Sequence, residues 1–230
     1  MIDVIVPSLG RPERSQPLVD SIRASTSVEH TILFLCQFSD HDKYDSCVAT
    51  GALVEMVQWQ PGPGDAAMKW NAGFRSTESP FVFLAADDLE FTRGWDTAAL
   101  EVAERTGAGV IGTNDNANPM VKRGNHSTHS LVRRSYIMEQ GGTFDETPGV
   151  VYSEAYDHQF VDTELVSVAK DRGEWAFARR SLVIHHHPFF DKTVRMDPTY
   201  TKALAHGRED GKLYRQRYQE WTRQRRATVL

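Results

Sequence analysis

The first 115 residues alternate short apolar, β-branched runs with stretches of helical periodicity, and this alternation restricts the fold more than any other feature. "IDVIVPSLGRP" is a buried strand stopped by Pro and Gly, and "PLVDSIRAST" carries apolar residues at helical spacing. "HTILFLCQF" then returns as a second strand, which makes a β-α-β opening. "LVEMVQW" is a third strand, "DAAMKWNAGFRST" a helix with Asp65 as expected N-cap, and "SPFVFLAA" a further strand. "RGWDTAALEVAERTGAG" reads as a helix closed by glycine, followed by the strand "GVIGTN". Strands alternating with helices predict an α/β domain whose mixed, mostly parallel central sheet is flanked by helices.

The second half is less regular. "HSLVRRSYIMEQGGTFDE" reads as a strand leading into a short helix, "HQFVDTELVSVAKDRG" as an amphipathic helix, and "FARRSLVIHHHPFF" as a strand bearing three histidines. The apolar runs are far shorter than the ~20 residues of a spanning helix, and the two cysteines, Cys36 and Cys47, are too few for a disulfide framework. A soluble, cytoplasmic protein with no membrane span is expected. From Lys202 onward eight Lys/Arg face three acids, so a tail of +5 sits on a chain of net charge -5. The tail, "KLYRQRYQEWTRQRR" included, predicts a basic helix with Tyr214, Tyr218 and Trp221 at three- and four-residue spacing. Either the aromatics pack on the domain, or they stack on nucleic-acid bases while the arginines meet phosphates.

The chemistry centres on "FVFLAADDLEF". Asp87 and Asp88 stand side by side at a strand end, where ligands of open parallel sheets bind, and adjacent carboxylates repel unless amides, water or a cation offset the charge. Four stretches in order, "IVPSLGRP", "GDAAMKWNAG", "FLAADDLEF…GW" and "GGTFDE…FVDTEL", resemble the family 2 glycosyltransferases and their GT-A fold over most of residues 1–190. That resemblance implies a single GT-A-like, Rossmann-like domain. Its donor-binding half is about 1–115 and its acceptor half about 116–190, with 191–230 as a basic helical C-terminal extension.

The resemblance implies a nucleoside diphosphate sugar as donor, with Mn²⁺ or Mg²⁺ stabilising the charge of the leaving diphosphate. The family commonly shows Asp-x-Asp or Asp-x-Asp-Asp where this chain has Ala85-Ala86-Asp87-Asp88, so Asp87 becomes the preferred metal ligand and Asp88 its support for metal or ribose. Pro7, Ser8 and Arg11 fall in the nucleotide-facing loop, Lys69 and Asn71 match the donor-side Arg-Asn-x-Gly, and Gln37 or Asp40 would meet the base. "VDTEL" matches the catalytic segment at Asp162, Glu164 and Leu165, which makes Asp162 the expected base of an inverting transfer to an acceptor hydroxyl. His185 and His187 would share one side of their strand, opposite His186, and His185 best fits the family's metal-binding histidine. His126, His129 and Ser130 are acceptor-side candidates in the polar stretch "NDNANPMVKRGNHSTHSLVRR". The acceptor stays open among saccharide, protein and hydroxymethylated DNA base. A nucleotidyltransferase and a non-catalytic nucleotide- or nucleic-acid-binding module remain the alternatives.

Overall fold

The computed structural model describes residues 1–37, 53–57 and 64–228. Strands β1 (Ile2–Pro7), β2 (His30–Gln37), β3 (Leu53–Val57) and β4 (Phe81–Leu84) are mutually parallel in the order β3-β2-β1-β4. Helices α1 (Ser15–Ser25) and α2 (Asp65–Ser76) cross between them. The sheet continues through β7 (Ser130–Arg133), β6 (Val110–Asn114), β8 (Trp175–His185) and β5 (Leu89–Phe91). Here β7 runs antiparallel to both β4 and β6, β8 is parallel to β6, and β5 is antiparallel to β8. The mixed, helix-flanked α/β sheet is the one expected. Helix α3 (Trp95–Thr106) precedes β6, while α4 (Pro119–Lys122), α5 (Arg134–Gln140) and α6 (Val161–Asp171) belong to the second half.

Strand alternation divides the core between the two sheet faces. Ile2, Val4 and Val6 of β1 pack with Leu18, Ile22 and Trp95 on the face of α1 and α3. Ile5, Leu33 and Leu35 pack with Trp70, Phe74 and Leu165 on the face of α2 and α6. Helix α2 lies close enough to the sheet that a Cβ on Gly73 would meet Ile5 Cγ2 at 2.6 Å. Its N-cap is Gly64, in the left-handed region at φ 85, and not the expected Asp65. Asp65 is instead the first helical residue and pairs with Lys69 one turn on, at 3.1 Å.

Two helices close the described chain, α7 (Pro198–Ala205) and α8 (Gly207–Thr228). Asp197 caps α7 by accepting from the Tyr200 amide at 2.9 Å, with Pro198 at the first helical position. Buried Asp210 of α8 accepts from three successive backbone amides, Asp157, His158 and Gln159, at 2.8, 3.0 and 2.8 Å. The aromatic stripe of α8 packs inward: Trp221 is buried against Phe144 and Val168, and Tyr214 stacks on Phe160. Packing therefore occupies Trp221 and Tyr214, while Tyr218 remains exposed. No helix among the described residues is long and apolar enough to cross a membrane. Trp221→Ala should lower unfolding free energy by about 3 kcal/mol. Denaturant melts check this, and a loss under 1 kcal/mol would show that the stripe is not core.

Candidate active site

One register explains how the site is assembled. The chain leaves β4, passes Asp87 and Asp88, and at once forms β5, whose Leu89 lies opposite His185 on β8. The His186 amide donates to the Asp88 carbonyl at 3.0 Å, which extends the pairing one step and sets Asp88 beside His185. His185 Nε2 stands 3.4 Å from Asp88 Oδ2, with both side chains buried. The strand ends at His185, so His186 and His187 lie beyond it. His187 still shares the side of His185, at 5.2 Å between rings, while His186 turns outward to Glu90 at 2.9 Å.

The two adjacent carboxylates have different partners. Arg11 grips Asp87 with Nε on Oδ2 at 3.1 Å and Nη2 on Oδ1, and Ser8 Oγ donates to Oδ2 at 3.0 Å. Burial pushes Asp87 up to about 6 against the pull of Arg11, with the neighbouring Asp88 adding to the rise. Asp87 is thus the carboxylate engaged by the β1 loop, through Arg11 and Ser8. Asp88 is held well below the ordinary carboxylate range because, although burial opposes its charge, His185 offsets that cost. The same attraction raises His185 despite burial. Tyr200 Oη lies 3.0 Å from Asp88 Oδ2 and accepts from Arg14 Nη1 at 2.7 Å. Three buried polar atoms here have no hydrogen-bond partner: Asp88 Oδ1, His185 Nδ1 and His129 Nε2.

Two clefts meet at this strand end. The first, about 590 Å³, is lined by Pro7, Ser8, Arg11, Lys69 and Asp87, five of the residues expected on the donor side. The second, about 970 Å³, is lined by Asp88, His129, Asp162, His185 and His187. Trp70, His158 and Thr199 border both. Among the described residues no group of three His, Cys, Asp or Glu is arranged to hold a metal ion. Asp88 Oδ1 and His185 Nδ1, a carboxylate oxygen and an imidazole nitrogen, are buried without partners, and these are ligand types that a divalent ion takes.

Several expected residues have other duties. Lys69 is buried, pairs with Asp65 and donates to the Ser8 carbonyl at 2.8 Å, so it props the β1 loop that also lines the first cleft. Asn71 lines neither cleft. Its Oδ1 accepts from the Val151 and Tyr152 amides at 3.0 and 3.1 Å, and its Nδ2 donates to the Tyr152 carbonyl at 2.9 Å, so it brackets the backbone of that segment. Gln37 borders a separate outer cleft with Arg11 and Asp197, and Asp40 lies outside the described residues. Ser130 is buried within β7, away from both clefts, because its strand pairs with Gly112 of β6. His187 Nδ1 accepts from the Phe189 amide at 3.2 Å, which leaves His185 as the imidazole beside the carboxylate. His126 sits behind Asp162, its Nε2 3.0 Å from Oδ2.

Tyr200, Asp197 and His158 were missed by the sequence reading. Asp197 accepts from Arg11 and Arg14 at 3.4 and 3.2 Å, so the capping residue of α7 also ties that helix to the arginine that holds Asp87. The "DPTY" capping signature could have revealed α7, but nothing local could have shown that it walls the site.

Neither a protein-family model nor a curated protein sequence matches the chain. Solved structures do. A mannosyltransferase from Pyrobaculum calidifontis, in complex with GDP-Man and Mn²⁺, superposes with a TM-score of 0.63 at 13% identity, over 90% of this chain and 68% of that one. Glucosyl-3-phosphoglycerate synthase from Mycobacterium tuberculosis, in complex with Mn²⁺, UDP and glucosyl-3-phosphoglycerate, gives 0.62 at 16% identity over 94% and 79%. S. aureus TarS gives 0.58 at 10% identity, and this chain spans 60% of the TarS chain solved. The fold is GT-A-like. Within this GT-A-like frame the two clefts lie at the carboxyl ends of β1 and β4, where ligands of open α/β sheets bind.

The Asp88–His185 pair makes stability depend on pH in a definite direction. A depressed Asp88 contributes above the ordinary carboxylate value, and a raised His185 contributes below the ordinary imidazole value and loses its effect as pH rises through its folded value. In metal-free protein, Asp88→Asn should cost about 3 kcal/mol near pH 5.5, and the deficit should shrink at pH 8 and above. Melting temperatures of both proteins across that range test it; a deficit that grows with pH contradicts the pairing.

Proposed function

We propose that this protein is a metal-dependent, inverting glycosyltransferase that moves a sugar from a nucleoside diphosphate sugar to an acceptor hydroxyl, with Asp162 as the base. The observation that carries this reading is the placement of Asp162, Asp88 and His185 on one cleft that adjoins a second cleft lined by Pro7, Ser8, Arg11 and Asp87. The donor nucleoside belongs in the first cleft and the acceptor in the second, with the diphosphate and the transferred sugar at their shared border, lined by Arg11, Trp70 and His158 and adjoining Asp88 and His185. The solved structures of similar fold that hold GDP-Man or UDP with Mn²⁺ support the donor class and the ion.

Asp88 and His185 would hold Mn²⁺ or Mg²⁺, which would supply positive charge to offset the negative charge developing on the leaving diphosphate. The protein's own groups do the rest. Arg11, kept firmly charged by Asp87 and Asp88 despite burial, lines both clefts and adds a fixed cation there. Asp162 is ionised at neutral pH, because His126 holds it below the ordinary carboxylate range despite burial. It takes the acceptor hydroxyl's proton as the new bond to the anomeric carbon forms and the diphosphate departs with its electron pair. Asp87, in its arginine fork with Ser8, braces the β1 loop.

The test is a thermal-shift series with UDP-glucose and GDP-mannose, with and without Mn²⁺. One donor at about 100 times its Kd should stabilise the protein by about 2.7 kcal/mol, in the presence of Mn²⁺ only. Asp162→Asn should keep that shift while slowing release of nucleoside diphosphate by about 10²- to 10⁴-fold. No stabilisation by either compound or other nucleotide sugars would sink the donor assignment, and an unaltered rate in Asp162→Asn would remove the base.

A further inference from the structure

Asp162 is anchored at both oxygens before any substrate arrives. The Thr163 amide donates to Oδ1 at 2.7 Å, and His126 Nε2 lies 3.0 Å from Oδ2. Asp162 lines the second cleft; His126 does not, and stands behind it. The segment that carries His126 is clamped on both sides. Lys170 Nζ donates to the Asn125 carbonyl at 2.6 Å, and Ser127 Oγ accepts from the Thr113 amide at 3.1 Å, so the imidazole is delivered from a pinned backbone.

We propose that His126 is a positioning residue for sugar transfer: its Nε2–H fixes the Asp162 carboxylate against the cleft wall and keeps it ionised, leaving its remaining lone pairs for the acceptor hydroxyl. This rests on the reading of Asp162 as the base. Burial works against the charge of His126, but the adjoining Asp162 carboxylate raises it above the ordinary imidazole value. Lys170 of α6 opposes this rise and Asp115, beyond β6, favours it. Around Asp162 itself stand His129 from just before β7, His185 from β8, and Tyr152 and His158 from the segment before α6. The protonated His126 lowers the pH at which Asp162 takes up a proton, so the acid limb of turnover sits below that of an unassisted carboxylate.

The experiment uses the full chain, with hydrolysis of UDP-glucose and GDP-mannose in Mn²⁺ as the kinetic probe and histidine ring NMR as a readout independent of turnover. His126→Ala should reduce kcat by about 10²-fold at unchanged donor KM. His126→Gln keeps a donor without the charge; it should retain kcat within about tenfold at its optimum while the acid limb moves up by about one pH unit. In the NMR titration, His126 should titrate above the ordinary imidazole value in wild type and clearly lower in Asp162→Asn. An identical His126 titration in both proteins overturns the inference. If Asp162→Asn abolishes hydrolysis while both His126 variants keep the wild-type kcat and acid limb, this inference alone fails. If Asp162→Asn hydrolyses normally, the base assignment fails and takes this inference with it. Where hydrolysis is too slow to measure, the NMR comparison decides.

Discussion

The site depends on a buried carboxylate set against a buried imidazole. Asp88 sits at the end of a parallel strand, where its charge would be costly in a low-dielectric interior without a partner. The partner comes from nearly a hundred residues away because β5, three residues long, pairs with the end of β8 and fixes the register of Leu89 opposite His185. The packing of Leu89 and Phe91 against Phe83 and Trp95 holds that register, so an apolar cluster determines the electrostatics of the cleft.

Asp87 and Asp88 solve their mutual repulsion by pointing to different cations. The arginine fork closes on Asp87 from the β1 loop, and the imidazole meets Asp88 from β8. The result is one carboxylate with donors on both oxygens and one with an unpartnered oxygen.

The C-terminal helices are part of this arrangement. Tyr200 of α7 reaches Asp88, Asp197 reaches Arg11 and Arg14, and Asp210 of α8 gathers three amides of the segment that leads into α6 and Asp162. A carboxylate that accepts from consecutive amides fixes their direction as well as satisfying them, and the His158 it restrains borders both clefts. The basic helix therefore contributes through its inward face: Arg217 pairs with buried Glu164 at 2.8 Å and Trp221 with Phe144.

Local pattern sufficed where local physics decides. Alternating apolar runs placed β1, β2 and β4, glycine closed α3 at Gly107, and the acidic pair announced a strand end with chemistry. The order of short motifs implied the GT-A-like architecture, and four of the residues it singled out, Ser8, Arg11, Asp87 and Asp162, line the two clefts. Which carboxylate stays open was not legible, because residues 87 and 88 differ only in the partners that Arg11 and His185 bring across the sheet. Asn71 and Lys69 carried polar labels that fit a donor site equally well, and only burial showed that they brace Tyr152 and Ser8. His126 and Asp162 lie 36 residues apart, as His185 and Asp88 lie far apart; side-chain meetings of this kind are set by helix and strand packing, which periodicity alone does not encode.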